Sequence, residues 1–436
     1  MEISEIYFYC LLLISLGIFL WSLIKPERFY QFPFTINAIF FAFIIPQCFS
    51  VYLSPDPSVT QMMVERYFFM ACLCLFMSWL GYQIPIKGKR RKTGQTEFSY
   101  KKLAWFGIVF VIIAYIASFV LTIVPTGRLL SGPATICIFF RRWIFYGFAI
   151  LLICSLRQKF RFNKDLIFLI AATGLMLSIV LDGRREPTMA LLLILGSILY
   201  FKRRWVVPRL VPVSLVLFIL FVNPLVGSVR GILSTGEWSR FLELNPIEST
   251  YEYYVQYHDS NQIDLLEVVN GALLMNIPIE TKQYGFGTGY WDALIKYYVP
   301  GQLAGYEFKE SLKFNLVDRF EIEDRYNYGY YKGQTFTGVA DTFVEFDFLG
   351  CFVFFGLAYL YKRVWRAAVE GDPLAQIAYA MIVTSSMLVV THGSQRFVRD
   401  IVILLLIIFA IKSCCQRDKL LSMRSAPYLV SSYREL

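Results

Sequence analysis

The sequence predicts an all-α polytopic membrane protein, and three observations carry that prediction. Hydrophobic residues make up 57% of the 436-residue chain, and its mean hydropathy is +0.53. Several apolar runs approach the ~20 residues that a helix needs to cross the hydrocarbon core of a bilayer. Lysines and arginines cluster in alternate connections between those runs, as in a chain that crosses repeatedly. About eleven transmembrane helices are expected, at 6–24, 33–52, 66–86, 103–124, 135–156, 166–181, 188–201, 206–226, 342–361, 374–391 and 400–413. The chain then divides into helices one to eight within 1–226, one large external loop at 227–340, and helices nine to eleven with a tail at 341–436.

The first helix follows Met-Glu-Ile-Ser-Glu, which lacks the basic start of a cleaved signal, so it is expected to be retained. Basic residues then mark one side: Lys25 and Arg28, the cluster from Lys87 to Lys102, Arg157 to Lys164, Lys202 to Arg204, Lys362 to Arg366, and the tail from Lys412. By the positive-inside rule that side is the cytoplasm, with the N-terminus outside and the C-terminus inside. The net charge of +10 therefore points to membrane lipids and not to nucleic acid. The nine cysteines lie in apolar runs or in the basic tail, with no metal-site spacing, so neither a disulfide framework nor a zinc site is expected.

Three arginine pairs run against the charge bias. Arg141 and Arg142 lie inside the fifth run. Arg184 and Arg185 lie in the turn Asp182-Gly183-Arg184-Arg185-Glu186-Pro187, between apolar runs of only 16 and 14 residues, which suggests a turn sunk below the membrane surface. Arg396 and Arg399 fall between helices ten and eleven, close to His392. One such pair reads equally well as a helix cap with snorkelling side chains; three pairs favour a shared anion site. If helical, His392, Arg396 and Arg399 share a face, although Gly393-Ser394 suits a turn as well.

The segment 227–340 carries 15 of the 32 acidic residues, 9 basic ones and 13 of the 28 tyrosines. Charge mixed with tyrosines suits an ordered cap. Tyrosine suits both sugar faces and a membrane interface. The glycines of Tyr284-Gly285-Phe286-Gly287-Thr288-Gly289-Tyr290 lack the strand-turn-helix context of a phosphate loop and read as a flexible turn. Beyond it, Asp341 and Glu345 share one face at i and i+4 of the ninth helix. Asp341 suits a first helical turn. Glu345, expected deeper and flanked by Phe343, Phe346 and Phe348, is a candidate general base, with structural pairing to an arginine as its competitor. No P-loop, zincin motif, G-x-S-x-G elbow or internal repeat is present.

Four features resemble the bacterial O-antigen, or oligosaccharide repeat-unit, polymerases of the Wzy type. They are the Gly183-Arg184-Arg185 turn; Tyr284-Gly285 followed by Lys296-Tyr297-Tyr298-Val299-Pro300; Thr337-Gly338 through Glu345-Phe346-Asp347-Phe348-Leu349-Gly350; and Gln395-Arg396-Phe397-Val398-Arg399. Gly301 follows Pro300 where the family tends to carry arginine, and the family's W-P-x-K-P core is absent. The resemblance implies a GT-C-like plan in the bacterial inner membrane and a metal-independent glycosyltransferase without cofactor. Its substrate would be a polyprenyl-pyrophosphate-linked oligosaccharide, and its partners a chain-length regulator and a flippase. It further implies Glu345 or Asp341 as base, helped by His392, and Arg184, Arg185, Arg396, Arg399, Arg141 and Arg142 on pyrophosphate. Tyr284, Tyr297 and Tyr298 would contact glycan. An O-antigen ligase, a flippase for lipid-linked oligosaccharide and a structural membrane subunit are the competing readings.

Overall fold

The computed structural model describes residues 3–53, 56–86, 96–123, 133–157, 164–181, 185–214, 245, 267–299, 301–319, 321–329 and 335–418. Among these, seven helical stretches are long and apolar enough to cross a membrane, which makes the chain a multi-pass α-helical membrane protein. They are Ile3–Ile24, Phe32–Leu53, Gln61–Gln83, Tyr100–Ile123, Ile136–Arg157, Gly338–Val369 and Pro373–His392.

In chain order the longer helices are α1 (Ile3–Ile24), α2 (Phe32–Ile39), α3 (Ile45–Leu53), α4 (Gln61–Gln83), α5 (Tyr100–Ile123), α6 (Pro133–Arg141), α7 (Ile144–Arg157), α8 (Lys164–Leu181) and α9 (Arg185–Arg203). They continue with α10 (Glu267–Thr281), α11 (Thr288–Tyr298), α12 (Gly338–Phe346), α13 (Cys351–Val369), α14 (Pro373–His392) and α15 (Ser394–Cys415). A π turn over Phe40–Ile44 joins α2 to α3 immediately before Pro46. Proline has no N–H to donate to the preceding turn, and a π turn is how a helix passes that gap unbroken. Of the expected helix 206–226, only residues up to 214 are described.

The basic clusters meet at one end of the bundle. There Lys102 Nζ donates to the Cys414 carbonyl (3.1 Å), Lys362 Nζ to Ile84 (2.9 Å) and Arg366 to Ile86 (2.7 Å). Arg204 donates to the Val369 carbonyl (2.8 Å) and Arg209 to Ile24 (3.4 Å). Cationic side chains at helix C-termini satisfy carbonyls that have no partner within the helix. At the same end a short antiparallel pair, β1 (Thr96–Phe98) with β2 (Gln416–Asp418), ties the start of α5 to the end of α15.

Three expectations change. The runs around the Arg184 turn belong to helices of 18 and 19 residues, longer than their apolar cores, because polar ends such as Lys164 and Lys202-Arg203 extend them. The fifth run breaks into α6 and α7 at Arg141–Trp143, where Arg142 N–H bonds to the Phe139 carbonyl at 3.2 Å. The last helix begins at Ser394 and so contains Arg396 and Arg399, which therefore do not lie in a loop.

The ninth helix departs most from a simple span. It stops at Phe346, Asp347 takes φ 54° and ψ −146°, and α13 starts at Cys351 after a short 3₁₀ turn. Across the break Phe343 and Phe348 meet edge to face with centroids 5.1 Å apart. Gly350 lies on the Thr342 carbonyl and Gly338 on the Val389 carbonyl, where a Cβ would not fit, and the tip of the Phe354 ring lies beside Gly338. Contacts between residues 343 and 348, 342 and 350, and 338 and 354 close on one turn, so α12 and α13 form an antiparallel helical hairpin. Since α13 runs to the basic end, α12 runs away from it and ends at the hairpin tip. α10 packs beside it, buried along Val268–Pro278 and anchored where Gln47 donates to Glu267 (3.0 Å) and accepts from Val268 N–H (3.1 Å).

Candidate functional site

The hairpin carries two carboxylates at the end of the bundle opposite the basic clusters. Thr337 caps α12 by accepting from Ala340 N–H (3.4 Å), and the Tyr67 hydroxyl donates to it at 2.9 Å, which fixes where the helix starts. One turn on is Asp341, fully buried; a further turn on is Glu345, 2% exposed. The order in depth is the reverse of the expected one, because α12 points towards the hairpin tip: Asp341 is the deeper acid and Glu345 the shallower.

Buried charges persist only when their burial is compensated; both acids are hydrogen-bonded, and Asp341 is ion-paired as well. Asp341 forms an ion pair with Arg319, accepts from the Ser394 hydroxyl at 2.5 Å and from Gln395 N–H at 3.2 Å. Ser394 spends its proton on Asp341, so at 2.8 Å it accepts from the Tyr290 hydroxyl. Burial opposes the charge of Arg319, but Asp341 and then Glu345 hold its pKa above the usual value. Burial also pushes the Tyr290 phenol up, with Asp341 adding to the effect.

Glu345 binds the glycine turn. Its Oε2 accepts from Gly287 N–H (2.8 Å) and Gly289 N–H (3.3 Å), and its Oε1 from Gln395 Nε2 (3.4 Å). Gly287 caps α11 with φ 91°, a conformation costly for any residue with a Cβ, and a Cβ on Gly285 or Gly289 would collide with the carboxylate. The segment expected to be a flexible turn is thus an anion-holding turn at a helix N-terminus, filled by the protein's own glutamate. A glycine-rich stretch before a helix is the signal for such a turn; nothing in the sequence names the acid that fills it.

The remaining candidates are distributed around this core. Arg399 donates from Nε to Asp400 at 2.6 Å, and its guanidinium lies 4.6 Å from the Tyr297 ring centroid. The Tyr298 hydroxyl donates to the Arg399 carbonyl at 2.6 Å. At about 1.5 Å per residue, Arg142 lies about 22 Å above Arg157 along its helices, and Arg399 about 24 Å above Cys415, so the two reach similar depth. Arg141 borders the same helix break, and Arg396 lies in the first turn of α15.

His392 ends α14, and Gly393 (φ 101°) turns the chain, so His392 does not share a helix with Arg396 and Arg399. Thr391 spends its hydroxyl proton on the Met387 carbonyl, so at 2.7 Å it accepts from His392 Nδ1–H. Tyr284 is half-buried, its ring 6.3 Å from those of Phe343 and Phe286. Arg184 lies outside the described residues, as does the side chain of Arg185. Arg319, Ser394, Gln395 and Tyr290 were not singled out from sequence. Arg319 lies 22 positions from its partner with no helical spacing to link them. Among the described residues no cluster of acids, histidines and cysteines could hold a metal ion. Compared with protein-family models, curated proteins and solved structures, the chain matches none.

Proposed function

We propose that the chain is a polymerase of polyprenyl-pyrophosphate-linked oligosaccharide repeat units. In this reading it has a GT-C-like arrangement of about eleven spans in the bacterial inner membrane, and the end opposite the basic clusters faces the periplasm. The observation that carries the reading is the pair of buried carboxylates on the short arm of the hairpin, roofed by the glycine turn and α11. Glycosyl transfer to a sugar hydroxyl needs a base placed within reach of a lipid-anchored substrate, and a carboxylate just inside the membrane boundary meets that need.

The acceptor hydroxyl oxygen attacks the anomeric carbon of the growing glycan. The new carbon–oxygen bond forms as the anomeric bond to the lipid pyrophosphate breaks, and polyprenyl pyrophosphate leaves with the electron pair. Glu345 takes the hydroxyl proton. Arginines meet the charge that develops on the leaving group, because guanidinium binds phosphate oxygens in pairs. Arg399, already oriented by Tyr297 and Asp400, fills that role in the described part of the chain. Asp341, held by Arg319, positions the arm and does not act as the base. Glu345 is enclosed by its own donors, so the acceptor reaches it only when the glycine turn lifts.

The test is the glycan made in cells whose own repeat-unit polymerase gene has been deleted. Expression of the chain should restore a ladder of multi-repeat products, and Glu345→Gln at equal membrane abundance should reduce it to single repeats. Single repeats attached with the unaltered chain would identify a ligase, and no change with either chain would end the proposal.

A further inference from the structure

The basic end holds a constellation that the reading above does not use. Three helix ends converge there: α5 starts at Tyr100, α7 ends at Arg157, and α9 ends one residue past Lys202. The Arg157 guanidinium stacks on the Tyr100 ring at 3.7 Å from its centroid, and Lys202 Nζ lies 5.7 Å from the same centroid. The ring is set in place from two sides. Phe98, in the strand pair, meets it edge to face at 5.2 Å, and Cys154 Sγ lies 3.8 Å from the Tyr100 carbonyl.

Other cations at this end tie helices together by donating to carbonyls, as Lys102, Arg204, Lys362 and Arg366 do. Arg157 and Lys202 do not. Among the described residues neither forms an ion pair or a hydrogen bond to a carboxylate or carbonyl, and the two like charges share one ring. One aromatic face attracts a cation by about 0.5–1 kcal/mol at an exposed site, too little to balance two like charges. Asp372, at the same end, is committed to the start of α14, where it accepts from Leu374 N–H (2.9 Å) and Ala375 N–H (3.4 Å). A guanidinium stacked by its face keeps the N–H groups of its rim directed sideways, the geometry that grips two phosphate oxygens.

We propose that Tyr100, Arg157 and Lys202 form a site for the phosphodiester of an anionic lipid headgroup, seated between α5, α7 and α9. The phosphate brings negative charge to the two cations, and the acyl chains of the lipid run along the apolar helix faces. Helix ends on the basic side of a membrane protein meet the headgroup layer, and basic pockets between helices there hold anionic lipids.

The experiment titrates the delipidated full-length protein with phosphatidylglycerol, phosphatidylcholine or sodium phosphate and counts bound molecules by native mass spectrometry. Phosphatidylglycerol should bind at one saturable site in preference to phosphatidylcholine. R157Q and K202Q should each weaken it by roughly fivefold, the share of one interfacial cation. Y100L, which keeps both charges but removes the ring that gathers them, should weaken it as well. R203Q removes an exposed neighbouring charge and should leave binding unchanged. Equal affinity for phosphatidylcholine, no effect of the R157Q/K202Q double variant, or an equal loss in R203Q would overturn the site. Saturable sodium phosphate binding that displaces phosphatidylglycerol would overturn the lipid as its ligand.

Discussion

The Glu345 carboxylate sits at the N-terminus of α11, 2.8 Å from the backbone N–H of Gly287, and so joins α12 to the segment that roofs it. The attachment is charge-assisted, and such bonds contribute about 1.5–3 kcal/mol each where a neutral one contributes about half as much. Glu345→Gln should therefore loosen the roof, because an amide offers one acceptor where the carboxylate offers two. The expected result is faster tryptic cleavage at Lys296 and Lys309 in sealed, correctly oriented vesicles. Cleavage at the unaltered rate would show that the roof is held by other contacts.

Gly289→Ala should have a similar effect for a steric reason, since the added methyl group occupies the position of the Glu345 carboxylate. Gly287→Ala strains the backbone instead, at about 1–2 kcal/mol for a left-handed residue. Combining each with Glu345→Ala, which removes the whole carboxylate group, separates the two. The cost of Gly289→Ala should shrink once the carboxylate is gone, while that of Gly287→Ala should persist in a thermal unfolding series.

Asp341 and Arg319 form a pair whose acid is fully buried. Removing one partner leaves an uncompensated charge, which costs about 3–5 kcal/mol, whereas an apolar pair of similar volume is often neutral. Arg319→Met and Asp341→Leu alone should each lower the unfolding temperature markedly, and the double variant should recover much of the loss. Additive losses in that cycle would mean the two residues act independently.

Alkaline pH should release α11. Burial, then the Asp400 charge, pushes the Tyr298 phenol up to about 12 from an ordinary value near 10. A raised pKa in the folded state means that the unfolded chain loses its proton first. The contribution is thus complete below about pH 10 and falls away as pH rises towards 12. Tyr298→Phe should make the loss of stability over that interval shallower, as followed by denaturant unfolding at stepped pH.

The orientation gives a further test. A cysteine placed at Glu310, in a variant retaining only Cys414 besides, should react with an impermeant maleimide from the periplasmic side. Cys414, exposed at the basic end, should react only after permeabilisation. Labelling in the reverse order would invert the topology and move the carboxylates to the cytoplasm.

The long helices are legible in the sequence because hydropathy alone marks them: the windows at 6–24, 103–124 and 374–391 match α1, α5 and α14 to within a few residues. The hairpin is not legible. Its turn at Asp347 contains no proline, and its glycine, Gly350, comes after the bend, so an apolar stretch of two arms reads as one span. For the site, Asp341 and Glu345 announce themselves as acids one helical turn apart. Their partners do not. Arg319, Ser394 and the glycine turn arrive from three distant segments, and their pairing depends on how the segment between α11 and α12 folds back, which no periodicity records.

The hairpin also frees the acids from the thickness of the bilayer. A helix that crosses the membrane tilts or shifts when the hydrocarbon layer thins or swells, and it carries its side chains with it. α13 takes up that adjustment along its own length, with the 347–350 turn as a joint. Asp341 and Glu345 ride on the short arm beyond the joint, fastened to Ser394, Gln395 and the glycine turn. The start of α15 and the glycine turn lie at the same end of the bundle as the acids, so the geometry around the two carboxylates should hold constant across membranes of different lipid chain length.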